Sequence, residues 1–253
     1  MKRLLAASIA CLLAGGCAPA AEERDDPLNM NGSSPEAPGE EQPRLLLLSS
    51  LPILFGPGFP SNEEFFLDGS ADGERNLLRE SLEEEFDLLG IAATGTSELA
   101  EGDLLLMAHA RAQTAENLVA LDEWVRAGGR VLLLADPGFA IDRGPPTLGG
   151  DYPPPFFTDN GLLGHWGLLL DGPVTNGTAR RSIGGAEVLT RAPGQFRLVG
   201  DNCTLEAEGF IADCSIGAGR ALIVADADFI VEPDDAGMAN RRALEALLLR
   251  LAS

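Results

Sequence analysis

The stretch that decides the fold is Leu121-Asp122-Glu123-Trp124-Val125-Arg126-Ala127-Gly128-Gly129-Arg130-Val131-Leu132-Leu133-Leu134-Ala135-Asp136-Pro137. Its first half closes a helical pattern over Thr114–Ala127, with Leu118, Leu121, Trp124 and Val125 on one apolar stripe. Thr114, with Asn117 three residues on, is a weak N-cap signal, and Gly128-Gly129 stops the helix with residues that tolerate left-handed backbone. The second half is a short continuous apolar run with a polar end, the pattern of a strand covered on both faces. Strand, helix, Gly-Gly, strand describes a βαβ unit, whose crossover is right-handed and whose strands are parallel.

Three more runs repeat the strand pattern: Arg44–Ser50, Asp103–His109 and Arg220–Asp226. Amphipathic stretches separate them. Asn76–Leu88 carries Leu77, Leu78, Leu82 and Phe86 on one face, and Met238–Leu251 carries Leu244, Leu247, Leu248 and Leu251. The expected fold is therefore an open, mostly parallel α/β sheet of doubly wound type over residues 44–253. The middle of the chain breaks this rhythm. Pro137–Pro155 is crowded with Pro and Gly and reads as a long surface loop. Asn160–Leu170 reads as a short helix and turn. From about 183 to 216 come short alternating pieces, Ala186–Thr190, Phe196–Val199, Cys203–Glu206 and Gly209–Cys214, expected as a β-rich insert or sheet extension.

The amino end carries an address. Lys2 and Arg3 precede the apolar run Leu4–Leu13, which ends in Ala14-Gly15-Gly16-Cys17. A charged segment, a short apolar segment and small residues before a cysteine read as a bacterial lipoprotein signal of residues 1–16. Cys17 is then expected to carry lipid, and Ala18 after it favours the outer membrane under the sorting rule of enteric bacteria. The run of about ten residues is too short to span a bilayer. A plain secretory signal cut after Ala18-Pro19-Ala20 is the alternative, and its proline makes a poor site. Residues 17–43 are rich in Pro, Gly, Ser and acids and are expected to form a disordered acidic tether.

Charge narrows the partners. The net charge is −21, and Lys2 is the single lysine. Such an acidic chain offers no basic cluster for nucleic-acid phosphate or anionic lipid heads, which excludes a nucleic-acid partner. Of four cysteines, Cys11 would leave with the signal and Cys17 would take lipid. Cys203 and Cys214 remain as an even pair in an exported chain, which favours a disulfide. The segment between them centres on Glu208-Gly209 and reads as a hairpin that brings its ends together. A redox pair or metal site is the alternative, but there is no C-x-x-C and no nearby histidine.

In sheets of this type ligands sit beyond the carboxyl ends of the strands. The residues there are Ser49 and Ser50, His109, Asp136, and Asp226 with Asp228. On paper Ser49, His109 and Asp136 make a hydrolase triad. No G-x-S-x-G elbow exposes a serine, however, and an aspartate at a strand end more often caps the next turn. Asp226 and Asp228, followed by Glu232, Asp234 and Asp235, suggest Ca²⁺ or Mg²⁺, but they lack the D-x-D-x-D-G spacing and read as a solvated acidic loop. No metal or cofactor is expected. His165-Trp166 lies in an apolar context, which favours a packed histidine over a partner or ligand contact.

Two segments carry a family resemblance. The stretch Leu121–Pro137 resembles the helix, W-V-x-x-G-G, strand, D-P core of bacterial glutamine-amidotransferase-like domains. These occur in the auxiliary domain of uncharacterised ABC transport systems of the gliding-motility GldG type. The stretch Gly219-Arg220-Ala221-Leu222-Ile223-Val224-Ala225-Asp226-Ala227-Asp228-Phe229-Ile230, with Asn240 after it, is similar to the same family's closing segment. The resemblance implies a flavodoxin-like core without the amidotransferase nucleophile, acting as a binding or accessory module outside the cytoplasm, with an envelope or transporter protein as partner. It implies no catalytic residues. Unlike the transporter members, this chain shows no run of membrane-spanning length. The reading that results is a non-enzymatic, periplasm-facing envelope lipoprotein. The alternative is a hydrolase or metal-dependent enzyme at the strand ends.

Overall fold

A computed structural model describes residues 42–51, 53–54, 77–139, 153–231 and 234–253. The expected signal peptide, Cys17, the tether up to 41 and the loop residues 140–152 lie outside the described residues. In chain order the elements are β1 (Arg44–Ser49), α1 (Leu77–Glu85), β2 (Asp87–Gly90), α2 (Thr96–Leu99), β3 (Leu104–Ala108), α3 (Ala115–Arg126) and β4 (Arg130–Leu134). There follow α4 (Leu162–Trp166), β5 (Leu168–Asp171), β6 (Thr178–Ile183), β7 (Ala186–Arg191), β8 (Gln195–Leu198), β9 (Cys203–Glu206), β10 (Ile211–Ile216), β11 (Gly219–Val224) and α5 (Asp234–Ala252).

The four apolar runs are the four central strands. The seven-stranded sheet has the order β2-β1-β3-β4-β11-β10-β9. Its first five strands are parallel, in the 2-1-3-4-5 order of flavodoxin-like folds, and β10 and β9 extend it antiparallel. Register puts like on like. Leu46, Leu105, Val131 and Ala221 form one row across the centre, and all four are fully buried. Both faces of these strands are covered. With right-handed crossovers, the reversal of direction after β2 puts α1 on one face and α2 and α3 on the other. Accordingly α1 packs beside α5, and α2 beside α3.

Thr114 caps α3 as its type suggests, its side chain accepting the Asn117 amide at 3.3 Å. The helix ends at Gly128, whose φ of +124° needs glycine. The β10–β11 turn then rests on this helix end. Ala218 N donates to Arg126 O at 2.9 Å, and a Cβ on Gly219 would stand 2.0 Å from Val125 O. The Gly217-Ala218-Gly219 run thus serves backbone-to-backbone packing. At the same edge Arg250 of α5 pairs with Glu206 and Asp213, and Arg220 forks onto Asp213. The Arg220 hydrogen bonds hold the Asp213 carboxyl below its ordinary value against the opposing effect of burial.

Two differences from the sequence reading stand out. The first helix ends at Glu85 rather than Leu88, because Phe86 turns into the core and Asp87–Gly90 becomes the edge strand β2. Its register on β1 is helped by the Arg44–Asp87 ion pair at 2.9 Å. The middle segment, in turn, divides three ways. β6 and β7 pair as a hairpin, β5 and β8 form a second two-stranded sheet, and β9 and β10 join the main sheet. Cys203 stands opposite Cys214 in the β9–β10 register, and the two form a disulfide. Among the described residues no helix is long and apolar enough to cross a membrane.

Candidate strand-end carboxyl site

β4 and β11 are neighbours, and each runs on for two residues into an aspartate. That places Asp136 beside Asp226, and the turn after Asp226 adds Asp228. All three side chains are fully buried. One oxygen from each lies within 4.8 Å of the others. The expected solvated acidic loop is therefore corrected for Asp226 and Asp228. The short helical turn Asp228–Val231 folds inward, carrying Phe229 and Ile230 into the core and the carboxyls with them. The side chains of Glu232, Asp234 and Asp235 lie outside the described residues.

Asp136 and Asp226 also serve the main chain. Asp136 Oδ1 accepts the Gly138 amide at 2.7 Å and Oδ2 accepts the Ala227 amide at 3.0 Å. Asp226 Oδ1 accepts the Phe229 amide at 3.0 Å. These bonds satisfy buried donors that would otherwise be orphaned. Burial pushes the Asp136 carboxyl above its ordinary value despite those amides and the neighbouring His109. Asp226 is pushed well above, first by burial and then by repulsion from Asp136 and Asp228. Three buried carboxyls at this spacing cannot all be charged without a counter-charge.

Thr190, which the sequence reading passed over, belongs to this site. Strand alternation in β7 points Val188 and Thr190 inward, and the Thr190 hydroxyl lies close enough to Asp226 to favour its charged form. Neither Thr190 Oγ1 nor Asp226 Oδ2 reaches a hydrogen bond of good geometry, although both are buried. A polar residue at an inward position of an alternating strand was the signal available in the sequence. Asn240 brackets the same corner from α5. Its Oδ1 accepts Leu189 N at 3.0 Å, and its Nδ2 donates to Leu189 O and Phe229 O, each at 2.7 Å.

His109 follows β3 with a φ of +48°, unusual for a residue with a Cβ. Its ring stacks on Phe139 at 4.5 Å, and Nε2 lies 2.8 Å from Pro154 O. A carbonyl oxygen only accepts, so Nε2 carries the proton. The serines do not complete a triad. Ser49 Oγ donates to Ala108 O at 2.9 Å, and Ser50 Oγ donates to the main-chain oxygen of His109, not to its ring. The cleft over the ends of β1 and β2, lined by Leu47, Ser49, Leu54, Gly90 and Ile91 among others, contains no titratable side chain among the described residues.

His165 and Trp166 lie elsewhere. Both meet Asp122, in the later turns of α3 toward the amino end of β4, away from the strand ends that carry Asp136 and Asp226. Trp166 is fully buried and donates from Nε1 to Asp122 Oδ1 at 2.9 Å. His165 is 57% exposed, so the packed histidine of the sequence reading is corrected: α4 turns its ring outward onto Asp122 and Arg126. Burial works to raise the Asp122 carboxyl, and hydrogen bonds from Arg126 and Trp166 outweigh it and hold the group low.

No family profile and no curated protein sequence matches the chain. Similar solved structures include an exo-β-1,4-mannosidase from Opitutaceae bacterium strain TAV5, with a TM-score of 0.49 and 12% identity, covering 83% of this chain and 36% of that one. The chain thus spans little more than a third of the mannosidase. A putative ThuA-like protein from Bacteroides uniformis has a TM-score of 0.47 and 9% identity, covering 86% and 94%. A cytoplasmic protein of Salmonella typhimurium LT2 has a TM-score of 0.47 and 11% identity, covering 82% and 99%. Strand order and pairing direction define the fold independently of these likenesses: a mixed α/β domain on a mostly parallel central sheet.

Proposed function

We propose that this chain is a non-enzymatic binding or accessory lipoprotein of the cell envelope. It is anchored by lipid on Cys17, faces the periplasm with the outer membrane favoured, and attends an envelope or ABC-type transport protein. One observation carries the non-enzymatic part. The serines and the histidine that could supply a nucleophile and its base are committed to main chain, as are Asp136 and Asn240: Ser49 to Ala108, Ser50 and Asp136 to the loops beside them, His109 to Pro154, and Asn240 to Leu189. A nucleophile needs a base within reach of its hydroxyl proton, and these serines direct theirs at carbonyls. The envelope part rests on the segment Leu4–Cys17. The transport association rests on the resemblance of Leu121–Pro137 and Gly219–Ile230 to the GldG-type auxiliary domain.

The test is to isolate the mature protein from native membranes and cross-link it there. Lys2 is the single lysine, so amine-directed reagents are poorly suited, and a carboxyl-directed reagent suits a chain with 39 acidic residues. A diacylglyceryl mass on Cys17, lost together with membrane retention in Cys17→Ala, supports the anchor. Reproducible capture of one envelope or transporter subunit supports the accessory role. An unmodified soluble monomer with no partner overturns both.

A further inference from the structure

The geometry points to a divalent-cation site built from Asp136, Asp226 and Asp228, with the Thr190 hydroxyl as a fourth oxygen. The inference is independent of the envelope reading, and a bound ion would be structural in either case. Four observations converge on it. The three aspartates each present an oxygen within 4.8 Å of the others. Oxygens on opposite sides of one Ca²⁺ stand about 4.6–5.2 Å apart, twice the usual Ca–O distance, and those around Mg²⁺ about 4 Å apart. The cluster therefore fits around one ion with little movement. All donors are hard oxygens, the set that suits Ca²⁺ or Mg²⁺ and disfavours softer metals.

The third observation comes from outside the acidic cluster. Thr190 Oγ1 is fully buried on β7 and lies close enough to Asp226 to favour its charged form, yet it makes no hydrogen bond of good geometry. Asp226 Oδ2 is equally buried and equally without one. Buried polar atoms short of good hydrogen bonds are costly, and an ion between these two would satisfy both. The fourth concerns the frame. The oxygens already used, both of Asp136 and Oδ1 of Asp226, are held by main-chain amides, and each retains lone pairs for an ion. Such supporting bonds orient ligands in built metal sites. An ion here would bridge the ends of β4 and β11 and the strand β7. Because every ligand is buried, the ion would enter as the domain folds, and binding and folding would be coupled.

The experiment uses the oxidised full-length protein, refolded from urea in EDTA and, separately, in Ca²⁺ or Mg²⁺. Expected are about one ion retained per chain after gel filtration, read by elemental analysis, and a Tm higher by roughly 5–10 °C at an ion concentration about 100-fold above Kd. Asp226→Asn and the near-isosteric Thr190→Val should each weaken retention at least tenfold. Should both variants fail to fold, the wild-type titration alone still decides. No retained ion, with equal Tm in EDTA, Ca²⁺ and Mg²⁺, overturns the site and leaves a cluster neutralised by shared protons.

Discussion

Asp136 Oδ2 accepts the main-chain amide of Ala227 at 3.0 Å, so a side chain leaving β4 fixes the chain leaving β11, 91 residues away in sequence. The other oxygen holds its own loop through Gly138 N at 2.7 Å. One carboxyl thus sets the course of two strand exits at the place where a sheet of this type presents its functional groups.

Replacing it should be expensive. Asp136→Ala leaves the Gly138 and Ala227 amides without acceptors and relieves some repulsion on Asp226. Lost acceptors outweigh that relief, and the expected destabilisation is about 3 kcal/mol, read as a lower urea midpoint at unchanged m-value. A midpoint within experimental error of wild type would show that the amides find other partners.

Gly219→Ala tests the close approach of the β10–β11 turn to α3. The new methyl would stand 2.0 Å from Val125 O and 2.3 Å from Gly129 O, and both obstacles are backbone. A loss of about 3 kcal/mol is expected by chemical denaturation. Gly161→Ala is not a fair control, because its φ is +96°, whereas Gly164, with open space around it, is.

The disulfide closes a short loop between paired strands. Cys203→Ser with Cys214→Ser should lower stability by roughly 3 kcal/mol, the chain-entropy figure for a loop of this size. Dithiothreitol should produce the same shift in the wild type and none in the double variant. Equal sensitivity of both to the reductant would remove the bond as its cause.

Stability against pH should show two opposed limbs in the presence of a chelator. Asp213 and Glu206 are held low, by hydrogen bonds from Arg220 and Arg250 respectively, so their contribution is present above the unfolded carboxyl range and lost as pH falls through their folded values. Asp136 and Asp226 are raised, chiefly by burial, so the folded state binds their protons more tightly and stability declines as pH rises from about 4 through their folded values. The optimum is therefore mildly acidic. Asp226→Asn should flatten the upper limb and leave the acid limb in place, as followed by urea midpoints across pH 3–8. An upper limb unchanged in that variant would assign the decline to other groups.

Much of the architecture was legible because it depends on local pattern. Four continuous apolar runs ending in polar residues became β1, β3, β4 and β11, and Gly128-Gly129 ended α3 where expected. β2 was not legible, since Asp87-Leu88-Leu89-Gly90 continues the helical spacing of α1 and becomes a strand only through pairing with β1. At the site, the strand-end rule brought out Asp136 and Asp226 separately. Their adjacency depends on β11 pairing with β4 across the whole middle segment, a non-local fact that spacing does not carry. Asp228 read as solvated because acids in loops usually are. The helical turn that buries it owes its direction to Phe229 and Ile230. Thr190 stayed hidden because a single inward hydroxyl acquires meaning only from what stands opposite.

The antiparallel end of the main sheet has a consequence for the life of this protein among its copies. β9 is the last strand, four residues long, and its Cys203 is joined covalently to Cys214 on the strand inside it. An outermost strand offers unpaired amides and carbonyls to any other chain that approaches. A covalent rung keeps this one from peeling away and exposing the longer β10 beneath. The bond thus guards against strand exchange between neighbouring copies, and under reducing conditions the protein should first become self-adhesive at this edge, before the parallel centre gives way.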